Sequence, residues 1–408
     1  MATNAWRERV LRQPIGLDQK SVATETVDSG HDLDTQAPSV LLIDYAQQVA
    51  PTDNLPCEDF HPVLLGLFGE VGSIMSTAKK LHREGDAFAG YRQAVIEEFG
   101  DALWYLAAIC RRLEIGIDTV FSQAIQATKH EDALVAGDTP DLPVDIANRV
   151  RPISHLDSVL LKLGEATAAL LTLKANPSNP KTVLLSFAAC YLEGLEAAGM
   201  TFGQVVEFNI AKTRGRFLVP NPHTLPTFDE EFEAEERLPE HFEMRIVQRK
   251  SGNTAIQWNG VFIGEPLTDN IRDEDGYRFH DVFHFAHASI LHWSPTFRSL
   301  IKHKRKSNSK IDEAQDGGRA IVVEEGLTAW IFSRAKLHGF FAGHKSISFD
   351  MLKTVQQFVS GYEVEACPLK LWEDAILQGY EVFRNVRNNN GGTVIGDRKA
   401  RRVSYRLS

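Results

Sequence analysis

Apolar positions recur at helical spacing over the front of the chain. The pattern begins near Val40 and places an apolar residue at every third or fourth position, which is typical of amphipathic helices. After this first helix it predicts three more, at roughly 60–82, 90–113 and 117–130. Residues 39–134 are therefore predicted to form a compact four-helix unit. Residues 1–38 are largely polar and lack this periodicity, which is typical of a disordered leader.

A weaker version of the pattern follows a linker rich in Gly and Pro. The Leu-Gly-Glu order that ends at Glu165 echoes the Phe-Gly-Glu order that ends at Glu70. We interpret residues 153–216 as a degenerate second copy of the first unit. The region between Pro180 and Gly199 has no Glu-x-x-Asp pair, so this copy is predicted to be catalytically silent.

The pattern of apolar residues changes after residues 217–242, a stretch that is rich in Pro and acidic residues. Two strands, Met244–Arg249 and Thr254–Ile263, predict a small β-hairpin. Helices are predicted after it, at roughly 276–303, 318–340, 348–361 and 368–389. We expect residues 243–390 to form a mostly helical α+β domain and residues 391–408 a basic tail. The predicted fold class is mainly α: tandem helical bundles followed by this C-terminal domain.

Charge separates the two halves of the chain. The 408 residues are enough for two or three domains, and the formal charge is −10. Residues 240–408 hold 24 Lys and Arg against 20 Asp and Glu, whereas residues 1–239 hold 20 against 34. An acidic front half argues against sequence-independent nucleic-acid binding there.

The apolar runs and the cysteines bear on the compartment. No apolar run approaches the length of a transmembrane helix, and the N-terminus lacks the apolar core of a signal peptide. The four cysteines are too far apart for a zinc site or a disulfide framework. We expect a cytoplasmic protein with no membrane partner.

Three acidic residues in the first unit carry the strongest chemical signal. Glu98 and Asp101 are three positions apart and share one helical face, and Glu70 can face them from the preceding helix. Carboxylates gathered among apolar neighbours repel one another unless a cation lies between them. Mg²⁺ is the natural candidate because it is hard and prefers oxygen ligands.

A series of short motifs around these acids carries a family resemblance. The motifs are Asp44-Tyr45, Gly69-Glu70-Val71-Gly72, Lys79-Lys80, Glu97-Glu98-Phe99-Gly100-Asp101, Leu103-Trp104-Tyr105-Leu106 and Gly116-Ile117-Asp118. With them, residues 38–130 resemble the MazG-like all-α nucleotide pyrophosphohydrolases, and residues 153–216 resemble them more weakly.

The resemblance implies a helical bundle that pairs with a second copy, so a homo-oligomer is one expectation. It also implies Mg²⁺-dependent cleavage of a nucleoside triphosphate to a monophosphate and pyrophosphate, with Mn²⁺ as an alternative ion. Glu70, Glu98 and Asp101 match metal ligands of the family. Lys79 or Lys80 matches a position near the phosphates.

The fourth acid of the family pattern falls on Ser73, whose hydroxyl is a poor Mg²⁺ ligand beside a carboxylate. Three outcomes stay open. The site holds fewer metal ions and has lower activity, or Glu97 or a residue from elsewhere compensates, or the unit binds a nucleotide without cleaving it.

Lys212 and Arg216 lie near the end of the second copy. One hypothesis is that they bring positive charge to the phosphates of the substrate across the interface between the copies. The alternative is that they only complement the C-terminal end of a helix.

A second group of candidate ligands lies in the C-terminal half. His280, Asp281 and His284 have a spacing that metal sites use, and Glu324 and Glu325 on a later helix can complete a second metal site. The alternative is a set of histidines that cap helices or form hydrogen bonds within the core.

A basic run at 302–306 lies between these helices. It is either a solvated surface or a contact for phosphate groups of a nucleotide or nucleic acid. The C-terminal segment as a whole resembles the extensions that some MazG-like proteins carry.

Three functions follow from these patterns. The leading prediction is a Mg²⁺-dependent nucleoside triphosphate pyrophosphohydrolase. The second is a nucleotide-sensing regulatory protein, in stress or antiphage defence, with a weakened catalytic site and a C-terminal effector domain. The third is a nucleic-acid-binding protein that uses the basic run. The base and sugar of the nucleotide stay open.

Overall fold

The computed structural model describes residues 42–128, 156–175 and 179–407. These residues divide into two compact units, one ending at Arg214 and the other beginning at Gly215. We call them the front unit and the C-terminal unit. The predicted leader and the predicted linker between the helical copies lie outside the described residues.

The front unit is built from helices only, in the part of it that the structure describes. Its α-helices are α1 (Leu42–Val49), α2 (Phe60–Glu84), α3 (Tyr91–Arg112), α4 (Ile117–Thr128), α5 (Leu156–Leu170), α6 (Pro180–Ala198) and α7 (Phe202–Phe217), the last of which runs across the unit boundary. The predicted helices at 60–82 and 90–113 are confirmed as α2 and α3.

Local sequence explains where α2 begins and ends. The carboxylate of Asp59 accepts a hydrogen bond from the backbone N–H of His61 at 2.8 Å and caps the first turn. Gly85 follows the last residue with φ of 59°, a conformation that a residue with a Cβ adopts only at a cost. Between these ends, buried residues such as Val63, Leu67 and Ile74 recur on one face.

Two helix pairs form the core of the front unit. Helix α2 packs against α3, α5 packs against α6, and the pairs meet where α2 contacts α5. Helices α3 and α6 also contact each other, through aromatic side chains. The rings of Phe99 and Tyr191 have centroids 5.3 Å apart, and the Tyr191 hydroxyl donates to the Phe99 carbonyl at 2.9 Å. Burying one such ring contributes about 1.5–3 kcal/mol.

The C-terminal unit combines helices with a five-stranded antiparallel sheet. The strands are β1 (His241–Gln248), β2 (Thr254–Trp258), β3 (Val261–Leu267), β4 (Gly391–Asp397) and β5 (Arg402–Arg406), in the order β3-β2-β1-β4-β5. The helices are α8 (Asp281–Ala286), α9 (Pro295–Ile301), α10 (Ser309–Ala314), α11 (Gly318–Leu337), α12 (Phe349–Val359) and α13 (Leu369–Asn389). Helix α13 lies at the centre and contacts α8, β4 and β5.

The predicted fold class, mainly α with a mixed C-terminal part, is confirmed, but the sheet is larger than the predicted hairpin. The predicted strand at 254–263 is two strands, because Asn259 and Gly260 have positive φ and form a tight turn. The predicted tail is wrong for residues 391–406, which form β4 and β5. Strand β4 pairs with β1, far away in sequence.

The predicted helix at 276–303 is interrupted. It is divided into α8, a π-helical turn at His287–Leu291, and α9. His292 between them has φ of 60°, and Pro295 starts α9 behind Ser294, whose hydroxyl accepts from the Phe297 N–H at 3.0 Å. A Ser-Pro start is a usual helix beginning, and it breaks the apolar pattern here.

Among the described residues, no single helix is long and apolar enough to cross a membrane. One pair, Pro180–Ala198 and Phe202–Phe217, meets the criterion of length and composition only when it is joined across a bend of 101°.

Candidate metal centre

Helices α2 and α3 bring the three predicted acids together. Glu70 lies on α2, Glu98 and Asp101 lie on α3, and one carboxylate oxygen of each lies within 4.8 Å of the others. The two helices approach closely one turn away, where a Cβ on Gly66 would lie 2.1 Å from the ring of Tyr105. All three side chains are partly exposed, so an ion can reach them.

Crowding of these carboxylates disfavours their charged forms. Burial, followed by the charges of Asp101 and Glu98, raises the pKa of Glu70 from 4.5 to about 8. At neutral pH and without a cation, Glu70 is therefore mostly protonated. A divalent ion among the oxygens would reverse that balance.

Helix α7 supports the cluster from its other side. The Lys212 ammonium lies 2.9 Å from Glu97 Oε1 and 2.5 Å from Asp101 Oδ2. Asn209, one turn earlier, donates from Nδ2 to Asp101 Oδ1 at 3.3 Å and accepts from the Tyr45 hydroxyl at 2.9 Å. The segment that was predicted to be a second copy thus contributes a cation to the site, but the cation contacts the carboxylates of the site directly.

The remaining predicted phosphate contacts do not join this cluster. Lys80 lies over the ring of Phe88, 4.2 Å from its centroid, and 3.9 Å from Glu84. Lys79 is exposed, nine residues along α2 from Glu70 and on the opposite face of that helix. Arg216 belongs to the C-terminal unit, where it binds Glu373 and the Ile347 carbonyl.

Tyr45, Asn209 and Tyr105 were not predicted from the sequence as parts of the site. Tyr45 and Tyr105 belong to motifs that carry the family resemblance, but their apolar helical pattern gives no separate signal for a role in the site. Asn209 offered one, because its amide follows Val205 and Val206 on a mostly apolar helical face; in the structure it has no exposed surface.

Replacing Lys212 by Met is expected to destabilise the metal-free protein by about 3 kcal/mol, since Glu97 and Asp101 lose a largely buried cation. Mg²⁺ should restore more stability to this variant than to the wild type, because it neutralises the same carboxylates. Urea unfolding with and without Mg²⁺ measures both effects.

Lys80→Met is the matched control for Lys212→Met. Its ammonium is half exposed and pairs loosely with Glu84, so we expect a change below about 1 kcal/mol. An equal response of the two variants to Mg²⁺ would contradict the assignment of Lys212 to the site.

The C-terminal candidates also converge. His280 immediately precedes α8, His284 lies in its last turn, and Glu324 and Glu325 lie on α11. His284 has no exposed side-chain surface; its Nδ1 is 3.0 Å from Glu324 Oε1 and its Nε2 is 3.3 Å from Glu325 Oε1. Asp281 is buried and lies within 4.8 Å of His280 and His284, measured between potential ligand atoms. Burial opposes a charged His284 ring, but the two glutamates outweigh it and raise the pKa of His284 well above its usual value.

Part of the basic run at 302–306 forms ion pairs within the C-terminal unit. Arg305 is 1% exposed and binds Asp316 and Glu363, each at 2.7 Å. Arg298, which precedes the run and is equally buried, binds Asp229 at 2.6 Å. These two arginines are therefore not part of a surface for phosphate groups.

Comparison with known proteins finds similarity over parts of the chain. Residues 223–408 match the model of the MazG C-terminal domain. The chain is also similar to the "Gene 37 protein" of Mycobacterium phage L5, with 35% identity over 60 residues. That match covers 14% of this chain and 53% of the phage protein, or about half the length of that relative. No solved structure matches the chain significantly.

The segment that matches the MazG C-terminal domain also contains a cleft of about 510 Å³. Its lining includes Asp229, Arg237, His292 and Arg398, and neither group of candidate ligands opens into it. Arg398 is held by Asp229 at 2.7 Å, so the cleft wall is an internal ion-pair network.

His292 in this domain predicts acid sensitivity. It is 8% exposed, and its Nε2 lies 2.9 Å from the Arg398 carbonyl oxygen. Burial, followed by the charges of Arg398 and Arg401, lowers the pKa of His292 from 6.5 to about 4, against smaller opposing effects of the hydrogen bond to the Arg398 carbonyl and of the Asp229 charge. The ring stays neutral in the folded state, so its contribution is complete above pH 6.5. As pH falls towards 4, about 3 kcal/mol is lost.

Urea unfolding at pH 7 and pH 4.5 checks this expectation in the wild type and in His292→Asn. Asn tolerates the positive φ at this position. The wild type should lose about 2–3 kcal/mol more than the variant on acidification. The same loss in both proteins would show that His292 does not titrate as described.

Proposed function

We propose that the chain is a Mg²⁺-dependent nucleoside triphosphate pyrophosphohydrolase that converts NTP or dNTP to the monophosphate and pyrophosphate. The observation that carries the proposal is the convergence of Glu70, Glu98 and Asp101 within 4.8 Å. The likeness of residues 223–408 to the MazG C-terminal domain supports it independently, because it associates another part of the chain with MazG proteins.

The donor set fits Mg²⁺. All three groups are carboxylates, which are hard oxygen ligands, and Mn²⁺ would accept the same set. Lys212 pairs with Glu97 and Asp101, and its one positive charge offsets only part of the negative charge of these carboxylates, so a divalent ion can neutralise the rest. Burial is the main cause of the raised pKa of Glu70, and the charges of Asp101 and Glu98 raise it further.

Each residue of the acidic cluster, and each residue of α7 that contacts it, has a distinct role in the proposal. Glu70, Glu98 and Asp101 would hold the metal, which when bound would neutralise the triphosphate and polarise an attacking water. Asn209 holds one oxygen of Asp101 by a hydrogen bond. Lys212 holds the other oxygen of Asp101 by an ion pair and also pairs with Glu97. The second helical copy therefore positions the carboxylates of the first.

A second candidate function is nucleotide sensing without turnover. Two observations favour it: Ser73 stands where the family pattern has a fourth acid, and Lys212 already pairs with Asp101. In this alternative the front unit binds Mg²⁺ and nucleotide, and the C-terminal unit responds. Thermal stabilisation by a nucleotide, with no product formed, would identify it.

The test is pyrophosphate release from a panel of NTPs and dNTPs with Mg²⁺ or Mn²⁺. Glu70→Gln should remove the activity. Glu165→Gln makes the same change at the echoing position of the second copy, on the exposed surface of α5, and should leave it intact. Equal activity of the two variants would refute the assignment of the site to the first copy.

A further inference from the structure

Two histidines and a glutamate in the C-terminal unit face one another as metal ligands do. His280 Nε2 lies 3.6 Å from one oxygen of Glu325, and His284 Nε2 lies 3.3 Å from the other. In a tetrahedral site with bonds of 2.0–2.1 Å, neighbouring ligand atoms lie about 3.3 Å apart. Asp281 completes the group, within 4.8 Å of both histidines in ligand atoms.

The other ring nitrogen of His280 fixes its tautomer. His280 Nδ1 lies 2.9 Å from the Tyr277 carbonyl, an acceptor only, so Nδ1 carries a proton, and in the neutral ring Nε2 keeps its lone pair. The ring is also stacked on Tyr277, with centroids 4.4 Å apart and planes 3° from parallel. A histidine oriented in this way by a backbone carbonyl is a common metal ligand.

Glu324 is a support for the group rather than a ligand. It accepts hydrogen bonds from His287 Nδ1 at 2.9 Å, from the Ser294 hydroxyl at 2.8 Å and from the Thr296 N–H at 2.9 Å. Its carboxylate is fully buried, and these donors satisfy it. It lies against Nδ1 of His284 and limits the position of that ring.

His284 is the decisive residue. It has no exposed surface, yet within the described part of the chain neither ring nitrogen makes a properly directed hydrogen bond. The nearby glutamate oxygens are close but do not lie where the N–H groups would point. A fully buried imidazole without hydrogen bonds is costly unless another partner satisfies it. The π-helical turn that begins at His287 lies next to this group, and such turns are frequent at functional sites.

We propose that His280, His284, Glu325 and Asp281 bind one first-row transition-metal ion of the Zn²⁺ or Fe²⁺ class. Two imidazole ligands favour such an ion over Mg²⁺, which prefers oxygen ligands alone. The Glu325 side chain is 37% exposed, so the centre has a side that faces solvent. This site is separate from the acidic cluster of the front unit and does not depend on the proposed hydrolysis.

Titration of the chelator-stripped full chain with Co²⁺ and Zn²⁺ tests the proposal, using visible absorption and calorimetry. We expect one Co²⁺ ion per chain that forms a coloured complex and is not displaced by millimolar Mg²⁺, whereas ions held by the acidic cluster of the front unit should be displaced. Glu325→Gln and His280→Gln should each weaken binding by roughly a hundredfold or more. Glu325 is partly exposed, so Glu325→Gln keeps the test valid if His280→Gln unfolds.

Two controls separate this centre from other sites. His344→Gln changes an exposed histidine of the same unit and should bind as the wild type does. Glu70→Gln should also keep the Co²⁺ site, because it affects the front unit only. If every bound ion is lost with Glu70→Gln, or if Glu325→Gln binds as the wild type does, the proposal is overturned. His284 is then a protonated ring held between two glutamates.

Discussion

Replacement of Glu98 by Gln, or of Asp101 by Asn, is expected to lower pyrophosphate release by on the order of 10²–10³-fold. Each change keeps the size of the side chain and removes one negative charge from the cluster that would hold the metal. Helix α3 should be unaffected, because both side chains are only partly buried. The loss should therefore appear in turnover and in metal affinity. Glu98→Gln should change the free energy of unfolding little, whereas Asp101→Asn also weakens the ion pair with Lys212 and should cost some stability.

Steady-state assays at several Mg²⁺ concentrations measure this effect, with unfolding by urea as the check on folding. If the metal affinity is what falls, raised Mg²⁺ or Mn²⁺ should recover part of the activity. Glu165→Gln serves again as the control, because Glu165 is exposed on α5 and is not a member of the acidic cluster. Wild-type turnover in Glu98→Gln and Asp101→Asn would rule out the acidic cluster as the catalytic centre.

Replacement of Asp316 by Ala is expected to cost about 3–5 kcal/mol of stability. Asp316 is fully buried, accepts two hydrogen bonds from the Arg305 guanidinium, at 3.0 and 2.7 Å, and one from the Arg305 backbone N–H at 2.8 Å. It also lies 3.7 Å from Arg298 Nε. Its removal leaves the buried guanidinium groups of Arg305 and Arg298 without part of the negative charge that balances them.

Chemical unfolding followed by circular dichroism measures this cost, in a fit that allows the two units separate transitions. Glu313→Ala is the matched control, since it removes an exposed carboxylate from α10 just before Asp316. We expect a change within about 0.5 kcal/mol for that control. A cost for Asp316→Ala as small as that of Glu313→Ala would mean that the buried network does not hold the unit together.

The parts of the fold that depend on local sequence were predictable. Helices α2 and α3 have long apolar stripes, and the spacing of Glu98 and Asp101 on one helix follows from helical geometry alone. Their approach to Glu70 follows from the packing of two neighbouring helices. Fold class and the acidic cluster could therefore be predicted, although the chemistry of the cluster stays a prediction.

The parts that depend on distant partners were not predictable. Arg305 belongs to a run of basic residues that is typical of a solvated surface, and its burial depends on Asp316 and Glu363 elsewhere in the chain. Strand β4 begins at Gly391 in a Gly-rich and then basic stretch, and one of the two strands that pair with it, β1, lies far away in sequence. Lys212 was predicted to contact phosphate because its partners on α3 lie more than a hundred residues earlier.

The most direct test of the central claim is the product balance of nucleotide cleavage by the full chain in Mg²⁺. Chromatography of the reaction should show monophosphate and pyrophosphate in equal amounts, with none formed when EDTA removes the metal or when Glu98 is replaced by Gln. Diphosphate and inorganic phosphate as products would contradict the account. So would the absence of product from every nucleotide tested.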